Sequence, residues 1–89
     1  MKSFKARLVT NTSMTTKAAS SVTATAEKFK SNITFCYEGK TADAKSIINL
    51  MALGINAEAK FELTTEGEDE ESAISTLKEL LLQLEIIRQ

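Results

Sequence analysis

Histidine is absent from these 89 residues, so any chemistry must come from hydroxyls, one thiol and charged side chains. Neutral imidazole is the side chain that near pH 7 most readily takes up a phosphoryl group or a proton and passes it on. Without it the Thr15 hydroxyl has no imidazole base to activate it and is a poor nucleophile; its plainer role is a helix cap. Cys36 is the only cysteine. It has no neighbouring base to make it a catalytic thiol and no second cysteine to make a disulfide. One thiol and no histidine also argue against a transition-metal site, and the carboxylates between Glu66 and Glu71 lack calcium-loop spacing. They read as dipole and solubility charges. Ser46 is better placed. It follows Lys45 and precedes an apolar run, where its hydroxyl can cap a helix by accepting from a free backbone N–H. Lys17 offers a point charge to an anion or partner, or simply serves solubility.

Charge is unevenly spread. Residues 1–45 carry eight basic and three acidic side chains, a net +5, and residues 46–89 carry three basic and nine acidic, a net −6. Scattered lysines without an arginine cluster or aromatic stacking platform do not read as a nucleic-acid surface. The longest apolar stretch, around Leu80 to Leu82, is too short to span a bilayer, and the N-terminal residues alternate with Lys5 and Arg7 instead of forming a signal-peptide core. The reading is a cytoplasmic protein forming one domain over residues 1–89, with no cofactor and no membrane association.

The elements that must position Thr15 and Ser46 follow from periodicity. Phe4, Ala6, Leu8 and Thr10 alternate with Lys5, Arg7 and Val9, the period of two expected for a half-buried strand. Thr15 or Thr16 can cap a helix whose face carries Ala19, Val22, Ala26 and Phe29. Ile33, Phe35 and Tyr37 alternate again, and Glu38-Gly39 turns the chain into a hairpin over residues 32–43, with Cys36 facing away from the core. A short helix is expected from Ser46 to Leu53, ended by Gly54. Five large apolar residues cannot all face a sheet from so short a helix, so Leu50 and Leu53 are assigned to the core and Ile47, Ile48 and Met51 to the surface. Ala57 to Leu63 reads as the fourth strand, followed by a turn over Thr64 to Gly67. The last helix has Asp69 as its cap, Glu70 and Glu71 near its positive end, Arg88 near its negative end, and a buried stripe of Ala73, Leu77, Leu80, Leu81 and Leu84. Ile74, Leu82, Ile86 and Ile87 leave apolar surface for extra packing or for a partner chain, a weak homo-oligomer included. The order is βαββαβα, an α+β fold with an antiparallel sheet and helices on one face.

This order resembles the HPr family of phosphocarrier proteins, and more narrowly its catabolite-repression paralogue, which also lacks the active-site histidine. The residues that carry the resemblance are Ser13-Met14-Thr15-Thr16-Lys17-Ala18-Ala19, Gly39-Lys40, Ala44 to Gly54 and Gly67-Glu68-Asp69-Glu70. It implies an open-faced β-sandwich, a four-stranded antiparallel sheet with three helices on one face. It places Thr15 where the family has its histidine, Lys17 where it has arginine and Ala18 where it has proline, so relay through histidine is not available. It places the family's regulatory phosphorylation site on Ser46, with Lys45 beside it and Ile47, Ile48 and Met51 as the partner-binding patch. The implied partners are an HPr kinase, a LacI-type catabolite repressor or an enzyme of the sugar phosphotransferase system. The implied role is non-enzymatic regulation in carbon catabolite control; the alternative is a phosphorylation-independent decoy or allosteric partner within that system.

Overall fold

The computed structural model describes residues 1–7, 16–53 and 59–84. Its elements are β1 (Lys2–Arg7), α1 (Thr16–Ala26), β2 (Asn32–Tyr37), β3 (Lys40–Asp43), α2 (Ile47–Leu53), β4 (Lys60–Glu66) and α3 (Glu70–Gln83). The four strands form one sheet in the order β1-β4-β2-β3, every neighbouring pair antiparallel. Odd-numbered residues of β2 and β4 point to the helices: Ile33, Phe35, Phe61, Leu63 and Thr65 are all buried. The Phe35 and Phe61 rings stack across that pair with centroids 5.4 Å apart. Even-numbered residues form the other, uncovered face, where Cys36 is partly exposed as its alternation requires.

The Glu38-Gly39 turn joins β2 to β3 with φ of 51° and 77°, both left-handed, as a two-residue hairpin loop demands. Ala18, Ala19, Val22 and Ala26 of α1 and Ala73, Leu77 and Leu81 of α3 close the core over the sheet. Phe29 lies beyond the end of α1, half-buried, its N–H donating to Ala26 O.

Three expectations are corrected. The fourth strand does not turn at Thr64 but runs on to Glu66, because as a central strand it pairs with both neighbours: Thr65 faces Lys2 on one side and Ile33 on the other. The Thr65 hydroxyl is fully buried and donates to Glu70 O at 2.9 Å. Asp69 occupies the position before α3 but makes no side-chain cap. Its carboxylate instead accepts hydrogen bonds from the Lys30 and Ser31 backbone N–H groups, both at 2.9 Å, and from the Ser31 hydroxyl. Those bonds hold its carboxyl at about 2, the Ser31 hydroxyl contributing most. Finally, Leu80 and Leu84 are only partly buried, leaving Ala73, Leu77 and Leu81 as the inner stripe of α3. Leu8 to Thr10 of the first strand, the Gly54 stop, the start of the fourth strand at Ala57, and Ile86, Ile87 and Arg88 lie outside the described residues.

Candidate functional site

The site is built where β3 hands over to α2. Asp43 ends β3; its carboxylate accepts from the Lys45 N–H at 2.9 Å, and its carbonyl accepts from the Ser46 N–H at 3.0 Å. This tight turn delivers Ser46 to the head of α2. There its side-chain oxygen accepts from the Asn49 N–H at 3.2 Å while its carbonyl accepts from Leu50 N–H at 3.0 Å, the arrangement of an N-cap. Ser46 thus caps α2 as its sequence position requires, and it remains partly exposed. Among the described residues its hydroxyl oxygen makes one hydrogen bond, within its own helix.

α2 is anchored by two residues. Leu50 and Leu53 are buried, at one turn's spacing, against α1 and β3. The other three large apolar side chains are on the surface: Ile47 is 37% exposed, Ile48 80% and Met51 40%. The split between core and surface is the one expected from the sequence, and it leaves a contiguous apolar turn directly after Ser46. Asn49, also exposed, separates Ile48 from Leu50 and supplies the N–H that Ser46 accepts.

Lys45 is partly buried, and its ammonium group donates to Phe29 O at 2.7 Å. It thereby satisfies a carbonyl beyond the end of α1 and ties α1 to the approach to α2. The sequence suggested an anion or partner contact; it gave no sign of Phe29, sixteen residues away. Asp43 carries a local signal that does point to this turn: an Asp two residues before a backbone donor is an ordinary Asx-turn arrangement. Lys17, in the first turn of α1, is exposed. Thr15 lies outside the described residues. No group of three or more histidine, cysteine, aspartate or glutamate side chains that could hold a metal is found among the described residues. No described helix is long and apolar enough to cross a membrane.

Comparison with known proteins adds four findings. A family model described as PTS HPr component phosphorylation site matches residues 2–83. The phosphocarrier protein HPr of Buchnera aphidicola is 37% identical over 70 residues, covering 79% of this chain and 82% of that protein. Among solved structures, a histidine-containing phosphocarrier protein from Mycoplasma superposes with a TM-score of 0.95 at 28% identity, covering 99% of this chain and all of that one. The catabolite-repression protein Crh of Bacillus subtilis, described as a dimer with a swapped domain, superposes at 0.74 with 30% identity, covering 86% and 87%. The backbone therefore lies nearer to a histidine-bearing phosphocarrier than to Crh, while the sequence itself contains no histidine.

Proposed function

The chain belongs to the HPr family, phosphotransfer carriers of the sugar phosphotransferase system rather than classic enzymes, and from that premise we propose that it is a non-enzymatic regulatory member whose switch is Ser46. Relay through histidine is closed to it because the chain has no imidazole to carry the phosphoryl group. A threonine at position 15 could at most form a phosphate ester, which lacks the transfer potential needed to pass the group on.

The reading is carried by one arrangement: a partly exposed Ser46 hydroxyl at the head of α2, continuous with the exposed Ile47, Ile48 and Met51. Phosphorylation there adds about two negative charges at the positive end of a helix, where the backbone N–H groups favour an anion. The fold tolerates the change, and the surface beside the patch gains a strong acceptor. An apolar patch with a phosphate at its rim is a two-part surface, greasy contact supplying area and the phosphate supplying discrimination. Its partners in this reading are an HPr kinase, which writes the mark, and a LacI-type catabolite repressor, which reads it in the cytoplasm. The whole of residues 1–89 acts as one domain.

The test is direct. Incubation with an HPr kinase and ATP is expected to label Ser46, and Ser46→Ala protein to take no label. Phosphoenolpyruvate with enzyme I is expected to label neither Thr15 nor any other residue. An unmodified Ser46 overturns the switch, and a label on Thr15 overturns the claim that relay has ended. Enzyme I binding through Ile47, Ile48 and Met51 with Ser46 unmodified would establish the decoy instead.

A further inference from the structure

We propose that Arg7 and Lys60, flanked by Lys5, form a binding site for a small phosphate-bearing solute on the uncovered face of the sheet. Arg7 closes β1 and Lys60 opens β4, and the antiparallel register sets them directly opposite each other. Their neighbours Ala6 and Phe61 face the helices, so alternation turns both cations to the open side. Side chains so paired stand with Cβ atoms about 5 Å apart, and like charges there repel. Both are exposed, and among the described residues neither they nor Lys5 makes an ion pair. The contrast lies at the other end of β1, where the Met1 amino group meets Glu70 at 2.9 Å and Lys2 meets Glu71 at 3.3 Å. Opposite charges were brought together there; two like charges were left facing each other here.

The surface between them is shaped. Lys5, Ala6, Arg7 and Lys60 line a shallow depression of about 270 Å³. A second, of about 290 Å³, shares Lys5 and Lys60 and carries Glu38 and Glu62 on its wall. A phosphate dianion suits the first: the guanidinium offers a planar fork of donors, two ammonium groups supply point charge, and the repulsion between Arg7 and Lys60 is offset on binding. The two carboxylates limit the occupant's size. Glu62 stands opposite Lys5 in the register, so positive potential is confined to roughly the width of one cross-strand pair. An extended polyanion or an anionic membrane would run onto Glu62 and Glu38; a single phosphate group would not. This site stands independently of Ser46, on the other side of the sheet from the helices.

Amide NMR of the full chain tests it, with inorganic phosphate titrated against sodium chloride at matched ionic strength. Expected are saturable shifts at Lys5, Arg7 and Lys60 with a millimolar dissociation constant, the range open to a solvent-exposed anion site. The Arg7→Gln/Lys60→Gln double variant should bind about tenfold more weakly or worse, as when charged hydrogen-bond partners are removed. Lys60→Gln alone should melt higher than the parent without phosphate, the repulsion being gone, and should lose the rise that phosphate produces in the parent. The Ser46→Ala protein should titrate like the parent, and phosphatidylserine vesicles should not bind. Shifts that fail to saturate, that persist in the double variant or that fall elsewhere overturn the proposal, and so does vesicle binding.

Discussion

At the head of α2 the Ser46 oxygen accepts one bond, from Asn49 three residues on; just before α3 the Asp69 carboxylate accepts three, all from residues 30 and 31. The two positions are alike in sequence terms, each a polar residue before an apolar-periodic segment. They differ in reach. Ser46 serves only its own helix, which hangs on two buried leucines. The Asp69 side chain forgoes its helix and binds Lys30 and Ser31, just before β2 and 39 and 38 residues away, while Glu70 takes over locally by accepting from Gly67 N–H at 3.1 Å. The Met1 amino group and that N–H hold the Glu70 carboxyl below its usual range. A residue whose contacts are local can change its chemistry without unmaking the fold; a residue that joins distant segments cannot. If Ser46 is the switch proposed above, this difference in reach is what suits it to that use and would unsuit Asp69.

The strongest way to test that contrast is to strike the joint between Gly67, Ser31 and Asp69. Gly67 has φ of 150°, and a Cβ there would lie 2.8 Å from the Ser31 Cα and 2.7 Å from its Oγ. Backbone cannot yield as a flexible side chain does. Gly67→Ala should cost about 4 kcal/mol, combining steric overlap with a backbone region that side chains rarely adopt. Urea unfolding measures it, and a loss below about 1 kcal/mol would show that the joint is softer than its geometry.

Asp69→Asn comes next, and its signature is in the pH profile. The carboxyl falls from 3.8 to about 2 on folding, so the native state prefers the ionised form. A lowered carboxylate contributes stability that is fully present above 3.8 and is lost as pH falls through about 2. The parent should therefore lose melting temperature between those values in excess of the Asn variant. The Asn variant should start lower at neutral pH, since an amide accepts fewer of the three bonds, and should change less in acid. Parallel profiles for the two proteins would deny Asp69 its part in joining α3 to β2.

What could be read beforehand divides along the same line of reach. The strand and helix order, the Glu38-Gly39 turn, the Ser46 cap and the division of α2 into Leu50 and Leu53 against Ile47, Ile48 and Met51 are all set by neighbours within a few residues, and periodicity exposes them. The extension of β4 to Glu66 was not visible because it depends on pairing with two strands at once, and Thr64-Thr65-Glu66 before a glycine has the composition of a turn. The Asp69 bonds and the Lys45 contact with Phe29 O join residues far apart in sequence, for which a single chain carries no local mark. Asp at a helix start is read as a cap because that is its commonest use.

Ser46→Ala measures the weaker arm of the comparison. Loss of one exposed N-cap bond should cost about 1 kcal/mol, well under Gly67→Ala, with the rest of the fold unchanged. An unfolding curve displaced by more than about 3 kcal/mol would mean that Ser46 supports more than its own helix and would weaken its claim to be a switch.

The smallest effect on stability should come with a large effect on binding. Ile48 is 80% exposed and lies on the far side of α2 from Leu50 and Leu53, so Ile48→Ser should change stability by less than about 0.5 kcal/mol. If the exposed turn of α2 is a recognition surface, the same variant should bind an HPr kinase at least about tenfold more weakly, the loss expected when an apolar anchor is removed from the centre of an interface. Asp69→Asn should show the reverse pattern at temperatures where it remains folded, losing stability and keeping affinity. Stability and binding would then be carried by separate helix starts. An Ile48→Ser protein that binds as the parent does would leave α2 exposed for no purpose that its chemistry explains, and would confine recognition to the phosphate on Ser46 alone.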